Sequence, residues 1–525
     1  MNNIKILDCT LRDGGYINDW NFGENSIKDI INKLSRAKID IIECGFLTTK
    51  GGDCNKTLFN EINEIGSYIE HRDDNIMYVG MIAYPNDIVN YIPDRNLNSI
   101  DGIRVTFHEH EIDDALDICK KLIDKGYKVF VQPVGMTSYD DINLIKLIEK
   151  VNKINPFSFY IVDTLGTMYK NDLLKIFYLI DNNLDKNIAI GFHSHNNLQL
   201  SFSNAQELLT IQTKRNIIID SSVYGMGRGA GNLCTELITE YINHNIDDRY
   251  VIEPILEIID EYLNNIYAKA PWGYRAPYCL AATNNCHPNY ASYLMNRQTI
   301  SVNSINYILK NIDIDKRTIF DKEYIVELYT KYQEHFIDDN ESILEIENRI
   351  NKRQILIVGP GTSINDEREK INNFIKEHSP YIIAINFIPT NFQYDGLFIS
   401  NSKRFKNIES MKEQLKGKLL IKTSNIIGND DILTVNYSSL VVDNSLISDN
   451  AGLMLINLLK KVKVNEVFIA GLDGYYINQS NYASNDMELV KERKNIDEIN
   501  SLIKKEFDKL KNTTTVKFLT KSLYN

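Results

Sequence analysis

No stretch of about 18 consecutive apolar residues occurs, and the opening Met1-Asn-Asn-Ile4 has no basic leader ahead of an apolar core. Neither a membrane span nor a secretory signal is expected, and a soluble cytoplasmic protein is. The seven cysteines include no C-x-x-C pair, which argues against a structural zinc site. Their odd number and unpaired spacing argue against a disulfide framework and fit a reducing compartment. Positive charge is in deficit, with 58 Lys and Arg against 70 Asp and Glu and a net charge of −12. A nucleic-acid partner needs a basic face to neutralise phosphates, so small molecules are the expected partners.

What is present is a globular composition, 43% hydrophobic and 24% charged, over 525 residues. That length exceeds one ordinary core and predicts two or three domains. Between Ile4 and Val223, short runs rich in Ile, Val, Phe and Tyr fall at 4–7, 39–44, 77–82, 102–107, 129–133, 159–163, 188–193 and 217–223. Amphipathic segments at 26–37, 113–125, 172–180 and 200–211 lie between them. Eight strand-helix alternations predict a (β/α)8 TIM barrel, whose chemistry sits at the C-terminal ends of the strands. Polar residues gather there: Arg12 and Asp13, Glu43, Arg104 with His108 and His110, Gln132, Asp163 and Thr164, His193 and His195. In Ile190-Gly-Phe-His-Ser-His-Asn-Asn197 the two histidines stand two apart on a strand, so both imidazoles aim at one side. With the Asp13 carboxylate this is a metal-ligand set.

After the last strand, Tyr224-Gly-Met-Gly-Arg-Gly-Ala-Gly-Asn232 leads into a helical segment at 233–243. Glycines before a helix N-terminus allow close approach to an anion, and Gly229 is the candidate substrate contact. Residues 246–350 show no strand alternation and are expected to form a helical subdomain, with His287 and Tyr290 as candidates to reach the barrel mouth. From 351 the pattern restarts. A strand at 355–358 runs into Gly359-Pro-Gly-Thr-Ser363 and a helix at 365–377, with further apolar runs at 381–386, 396–400, 419–422, 439–442, 466–471 and 516–519. This predicts a Rossmann-like α/β domain over 351–525, whose first loop makes Gly359, Gly361, Thr362 and Ser363 candidate nucleotide contacts. The barrel is expected over 1–245.

Three motifs in order carry a resemblance: Leu11-Arg-Asp-Gly14, His193-Ser-His195 and Gly225-Met-Gly-Arg-Gly-Ala-Gly-Asn232. The first roughly 240 residues resemble the DRE-TIM metallolyase superfamily of hydroxymethylglutaryl-CoA lyase, isopropylmalate and homocitrate synthases and 4-hydroxy-2-oxovalerate aldolase. The opening Asp8-Cys-Thr-Leu-Arg-Asp-Gly-Gly-Tyr16 is most similar to an aldolase branch met in surface-polysaccharide gene clusters. The resemblance implies that Asp13, His193, His195 and Asn232 bind a divalent cation, Mn²⁺ or Mg²⁺. It implies further that Arg12 stabilises an enolate and that Glu43 and Thr164 lie in or beside the site. Tyr16 stands where the aldolases carry a histidine base, and a phenol is a poor proton acceptor at neutral pH. His108 is the substitute candidate, with His287 behind it. Separately, Val358-Gly-Pro-Gly-Thr-Ser-Ile364, Ala384-Ile-Asn386 and Val467-Phe-Ile-Ala-Gly-Leu-Asp-Gly-Tyr475 resemble the nucleotide-binding core of CMP-sialic-acid-using sialyltransferases and MptE-like pterin pyrophosphokinases.

The expected activity is metal-dependent aldol cleavage or addition through a pyruvate-like 2-oxo acid enolate, with an aldehyde as partner, Arg104 and Gln132 as further substrate contacts, and a homo-oligomeric assembly. Two alternatives share the metal site: a synthase condensing an acyl-CoA with a 2-oxo acid, and a metal-binding barrel without chemistry, fused to a nucleotide module.

Overall fold

The structure is a computed structural model that describes residues 4–525 except 97–98, 351–352, 429–430, 478, 485–486, 488–495 and 511–513. Residues 1–3, on which the missing leader is read, and 351–352, where the third domain is expected to begin, lie outside the described residues. The chain divides into two compact units, one of residues 1–292 and 313–320, the other of 293–312 and 321–525. The helical stretch 246–350 is thus shared between them.

The first unit is the expected closed barrel. Eight parallel strands, β1 (Ile4–Asp8), β2 (Ile41–Leu47), β3 (Met77–Ala83), β4 (Gly102–Phe107), β5 (Lys128–Pro133), β6 (Ser158–Asp163), β7 (Ala189–Ser194) and β8 (Ile217–Ser221), pair in sequence order. Pairing of Leu7 with Ile41 on one side of β1 and of Ile4 with Ile217 on the other closes the ring. The strands form because β-branched runs pack on both faces of a covered sheet. Leu7, Ile41, Val79, Phe130, Tyr160 and Ile218 fill one cluster, while Ile6, Ile42, Val129, Phe159 and Ile219 pack with the helices in another. Helix α1 (Glu24–Arg36) shows the matching helical period, burying Ile27, Ile30, Ile31 and Leu34. Each such side chain contributes about 1.5–3 kcal/mol on burial. The alternation is not uniform. The crossover after β2 carries only a five-residue helix, Ile62–Gly66, and the one after β3 a 3₁₀ turn, Asp87–Tyr91.

The second unit holds a seven-stranded parallel sheet of β9 (Ile355–Val358), β10 (Tyr381–Ile385), β11 (Gly396–Ile399), β12 (Leu419–Thr423), β13 (Leu433–Val435), β14 (Glu466–Ala470) and β15 (Thr515–Phe518). Their order is β13-β12-β11-β10-β9-β14-β15. Ile355, Ile357, Ile383 and Val467 point into one core, and Leu356, Val358, Ile382 and Ala470 into another, so helices cover both faces. One expected strand is corrected. Segment 439–442 starts inside a 3₁₀ turn, Tyr437–Ser439, and Leu440 O accepts from Asn457 Nδ2 at 2.9 Å. The sheet edge belongs instead to β13, which pairs with β12. Among the described residues no helix is long and apolar enough to cross a membrane.

Candidate metal centre

Past β1 the backbone makes a wide π-helical turn over Thr10–Gly14 that carries Arg12 and Asp13 inward. The turn is fastened on three sides. Thr10 Oγ1 accepts Val223 N–H at 2.8 Å, Thr57 Oγ1 donates to Leu11 O at 2.6 Å, and Trp20 Nε1 donates to Arg12 O at 2.8 Å. Opposite it, His193 is the penultimate residue of β7, and His195 follows the strand, its backbone bridged to Asn232. Ligand atoms of Asp13, His193 and His195 lie within 4.8 Å of one another, and all three residues are buried.

Beneath this set runs a network of ion pairs. Arg12 Nη1 donates to Asp13 Oδ1 at 2.5 Å and Arg12 Nε to Glu43 Oε2 at 2.9 Å. Arg104 Nη1 reaches the same Glu43 oxygen at 2.6 Å, and Arg104 Nη2 pairs with Asp220 Oδ2. With its amide oxygen turned to the guanidinium, Gln132 accepts from Arg104 Nε at 2.7 Å. Asp220 also faces His193 Nδ1 at 3.0 Å and accepts from Tyr160 OH at 3.0 Å. An Nδ1–H held by a carboxylate fixes the tautomer, leaving Nε2 as the lone-pair nitrogen of His193.

The electrostatics follow from burial. Burial raises the Asp13 carboxyl, but the charges of Arg12, His195, His193 and Arg228 outweigh it and hold the group well below the ordinary range. Asp220 is likewise raised by burial and more than offset by Arg104 and His193. Burial, against the pull of Asp13, lowers His195 to about 3, so its imidazole is neutral and able to ligate. His108 is lowered by burial, and His287 falls to about 3 through burial and the charges of Arg228, His195 and His108.

A divalent cation fits these residues. Asn232 Nδ2 donates to Asp13 Oδ2 at 2.6 Å, yet among the described residues Asn232 Oδ1 is buried with no partner, as is Arg12 Nη2. An unmatched buried acceptor and donor at the edge of an Asp–His–His set are what a cation and its anionic ligand would satisfy. The glycine loop permits the arrangement. A Cβ on Gly227 would stand 2.3 Å from Asn232 Nδ2 and 3.1 Å from Asp13 Oδ2, so only glycine leaves room.

Of the residues expected at the site, Arg12, Asp13, Glu43, Arg104, Gln132, His193, His195 and Asn232 share one buried cluster. Arg104 is fully buried and tied to Glu43, Asp220 and Gln132. Thr164 Oγ1 accepts Gly135 N–H at 2.9 Å, joining two loops. Gly229 lies at φ +64 beside Asn197 Oδ1, which itself accepts Ala230 N–H at 2.9 Å. His108 is half-buried and stacks on His110 at 5.9 Å. His287 Nδ1 accepts Asn289 N–H at 3.2 Å. Tyr16 packs edge-on to Trp20 at 4.6 Å and carries Arg228 over its ring at 4.0 Å. Sequence reasoning missed Asp220, Tyr160 and Arg228. Asp220 had a signal, an acid inside the apolar run Ile217-Ile-Ile-Asp-Ser221, because a charge in a buried strand requires a partner.

In the second unit the loop after β9 closes on the loop after β14. Gly361 N–H donates to Gly471 O at 2.8 Å, and Ser363 N–H to Asp473 Oδ2 at 2.8 Å. A Cβ on Gly361 would lie 2.5 Å from that carboxylate. Asp473 also accepts from Thr362 and Ser363 hydroxyls, so the donors expected to hold a phosphate already hold an internal acid. Next to this loop a cavity of about 340 Å³ is lined by Asn386, Phe387, Phe392, Arg404, Asn407 and Met411, among others.

The closed parallel barrel carries at its C-terminal mouth a buried Asp–His–His set that could hold a metal ion. The HMGL-like family model matches residues 3–257. Among curated relatives, an oxaloacetate decarboxylase of Mycobacterium tuberculosis is 24% identical over 238 residues, covering 44% of this chain and 68% of that protein. A 4-hydroxy-2-oxovalerate aldolase of Roseiflexus castenholzii is 24% identical, covering 49% of this chain and 75% of that one. A 2-isopropylmalate synthase of Campylobacter jejuni is 26% identical over 47% of this chain, which spans 49% of the synthase. Over residues 3–257, just under half of its length, the chain is thus similar to HMGL-like proteins.

Proposed function

We propose that the barrel is a carbon–carbon lyase of the aldolase type that requires Mn²⁺ or Mg²⁺ and acts through the enolate of a pyruvate-like 2-oxo acid. The observation that carries this is the pairing of a three-residue cation set with an arginine donor, Arg12 Nη2, left without a partner beside it. Asp13, His193, His195 and Asn232 would hold the cation, which would polarise the oxygens of a 2-oxo acid as a Lewis acid. Arg12 donates from Nη2 to the oxygen on which charge develops, while Glu43 and Asp13 keep its guanidinium in place. In cleavage of a 4-hydroxy-2-oxo acid, a base takes the 4-hydroxyl proton as the bond between C3 and C4 breaks. The products are an aldehyde and the enolate, which is then protonated on carbon.

The two histidine candidates differ in burial and in the charges around them. The Nδ1 lone pair of His287 is engaged by Asn289 N–H, so its neutral ring carries the proton on Nε2 and donates. His108, which burial lowers from the ordinary imidazole range and which is only half-buried, remains the candidate acceptor. The test is exchange of pyruvate methyl protons into D2O by the full chain with and without Mn²⁺. Metal-dependent exchange that is lost in Asp13→Ala supports the reading. No exchange with any divalent cation refutes it. For His108→Ala, a fall of less than tenfold in aldol cleavage would assign the proton transfer elsewhere.

For the second unit, a nucleotide or nucleotide-sugar site rests on the resemblance and on the cavity beside the β9 loop, not on that loop's own N–H groups. Titration of the full chain with CMP, CDP and ATP gives heat if this holds.

A further inference from the structure

Arg228 stands apart from the other arginines of the barrel mouth. Arg12 is paired with Asp13 and Glu43, and Arg104 with Glu43 and Asp220. Among the described residues no acid lies within ion-pair distance of Arg228. Its guanidinium rests 4.0 Å above the Tyr16 ring, and that ring is held by Trp20 at 4.6 Å and by Phe46 at 6.1 Å. A cation stacked on a fixed aromatic face keeps its orientation while its N–H fork stays available.

Its neighbourhood identifies what it faces. Gly227, one residue before, packs against Asn232 and Asp13, so Arg228 emerges directly beside the proposed cation ligands. Its charge acts on Asp13, His195 and His287, which places it on the same side of the barrel as all three. A half-buried arginine without a counter-ion raises the local positive potential, and an anion arriving there relieves it. The near end of a 2-oxo acid already has Arg12 Nη2 and the cation set. Arg228 is left for the far end.

We propose that Arg228, carried on the Tyr16 ring, binds a second anionic group of the substrate, a carboxylate or phosphate on the aldehyde-derived half. This rests on the aldol reading and narrows it to 4-hydroxy-2-oxo acids with a charged distal end. A bidentate charge-assisted contact favours the charged partner by about 10- to 100-fold.

The test measures kcat/KM for addition of pyruvate by the Mn²⁺-loaded full chain to paired aldehydes. Succinic semialdehyde against butanal reads a carboxylate, and glyceraldehyde 3-phosphate against glyceraldehyde reads a phosphate. The wild type is expected to prefer the charged member of one pair by at least about tenfold. In Arg228→Gln that ratio collapses toward one, in Arg228→Lys part of it survives, and in Tyr16→Phe, which keeps the ring, it is retained. Absence of a charged preference in both pairs overturns the inference, as does an equal loss on charged and neutral aldehydes in Arg228→Gln. Deuterium exchange into pyruvate separates the two failures. Exchange without charge preference sinks only the role of Arg228, whereas absence of exchange sinks the aldol reading beneath it.

Discussion

Replacing Asp220 with asparagine tests the proposed metal centre from below, at a residue that touches no proposed ligand position except through His193. The carboxylate accepts from Arg104, from His193 Nδ1 and from Tyr160. Asparagine keeps the shape and removes the charge. Bonds to a charged acceptor contribute roughly 1.5–3 kcal/mol each against about 1 kcal/mol for neutral ones, and Arg104 would retain Glu43 as its only acid. A loss of about 3 kcal/mol in unfolding free energy follows, at the lower end of the range for a broken buried pair. The second effect falls on the cation. Without a carboxylate at Nδ1 the His193 tautomer is no longer fixed, and supports of this kind change metal affinity by about 10- to 100-fold, or about 1.4–2.7 kcal/mol. Calorimetric titration of chelator-treated protein with Mn²⁺, alongside thermal unfolding, reads both effects. Asp220→Asn protein that unfolds earlier yet takes up Mn²⁺ within twofold of wild type would show that Asp220 does not orient a ligand, and the proposed role of His193 would fall with it.

Gly227→Ala brings a methyl to 2.3 Å from Asn232 Nδ2. The expected cost is about 1–3 kcal/mol in stability together with at least a tenfold loss of Mn²⁺ affinity, measured by the same titration; unaltered affinity would remove Asn232 from the ligand set. Asp8 gives a pH signature. Burial, resisted by bonds from Thr235 and Thr10, lifts its carboxyl from 3.8 to about 6. The folded chain therefore holds this proton more tightly than the unfolded one, and the contribution is fully present below about pH 4 and lost as pH rises through 6. Asp8→Asn should gain about 2 kcal/mol relative to wild type between pH 4 and pH 8. Parallel stability curves for the two proteins would show that Asp8 is not the group responsible.

Much of this was legible in the chain. Each barrel strand holds a compact apolar run, and β4, 102–107, falls where the run itself begins and ends. Helix α1 is read from its apolar spacing alone. Segment 439–442 shows the limit. Three apolar residues in a row look like a strand, but only the competition for the sheet edge, won by Leu433–Val435, decides which run pairs. The second unit's glycine loop shows another. Gly-Pro-Gly-Thr-Ser reads as a phosphate cradle until Asp473, 110 residues later, is found on its N–H groups.

By itself the sequence determined the alternation of strands and helices, and with it the side of the barrel on which Asp13, His193 and His195 emerge, because strand period and chain direction are local properties. Which polar groups act together was decided only by closure of the ring. Asp220 lies 27 residues from His193 and 116 from Arg104, and nothing in local propensity couples them. The same closure set Arg12 between Glu43 and Asp13, left Arg228 on Tyr16 without an acid among the described residues, and so divided like residues into supports and available donors. Charge pairing in a buried site depends on distances between strand ends, and those distances exist only once the barrel has formed.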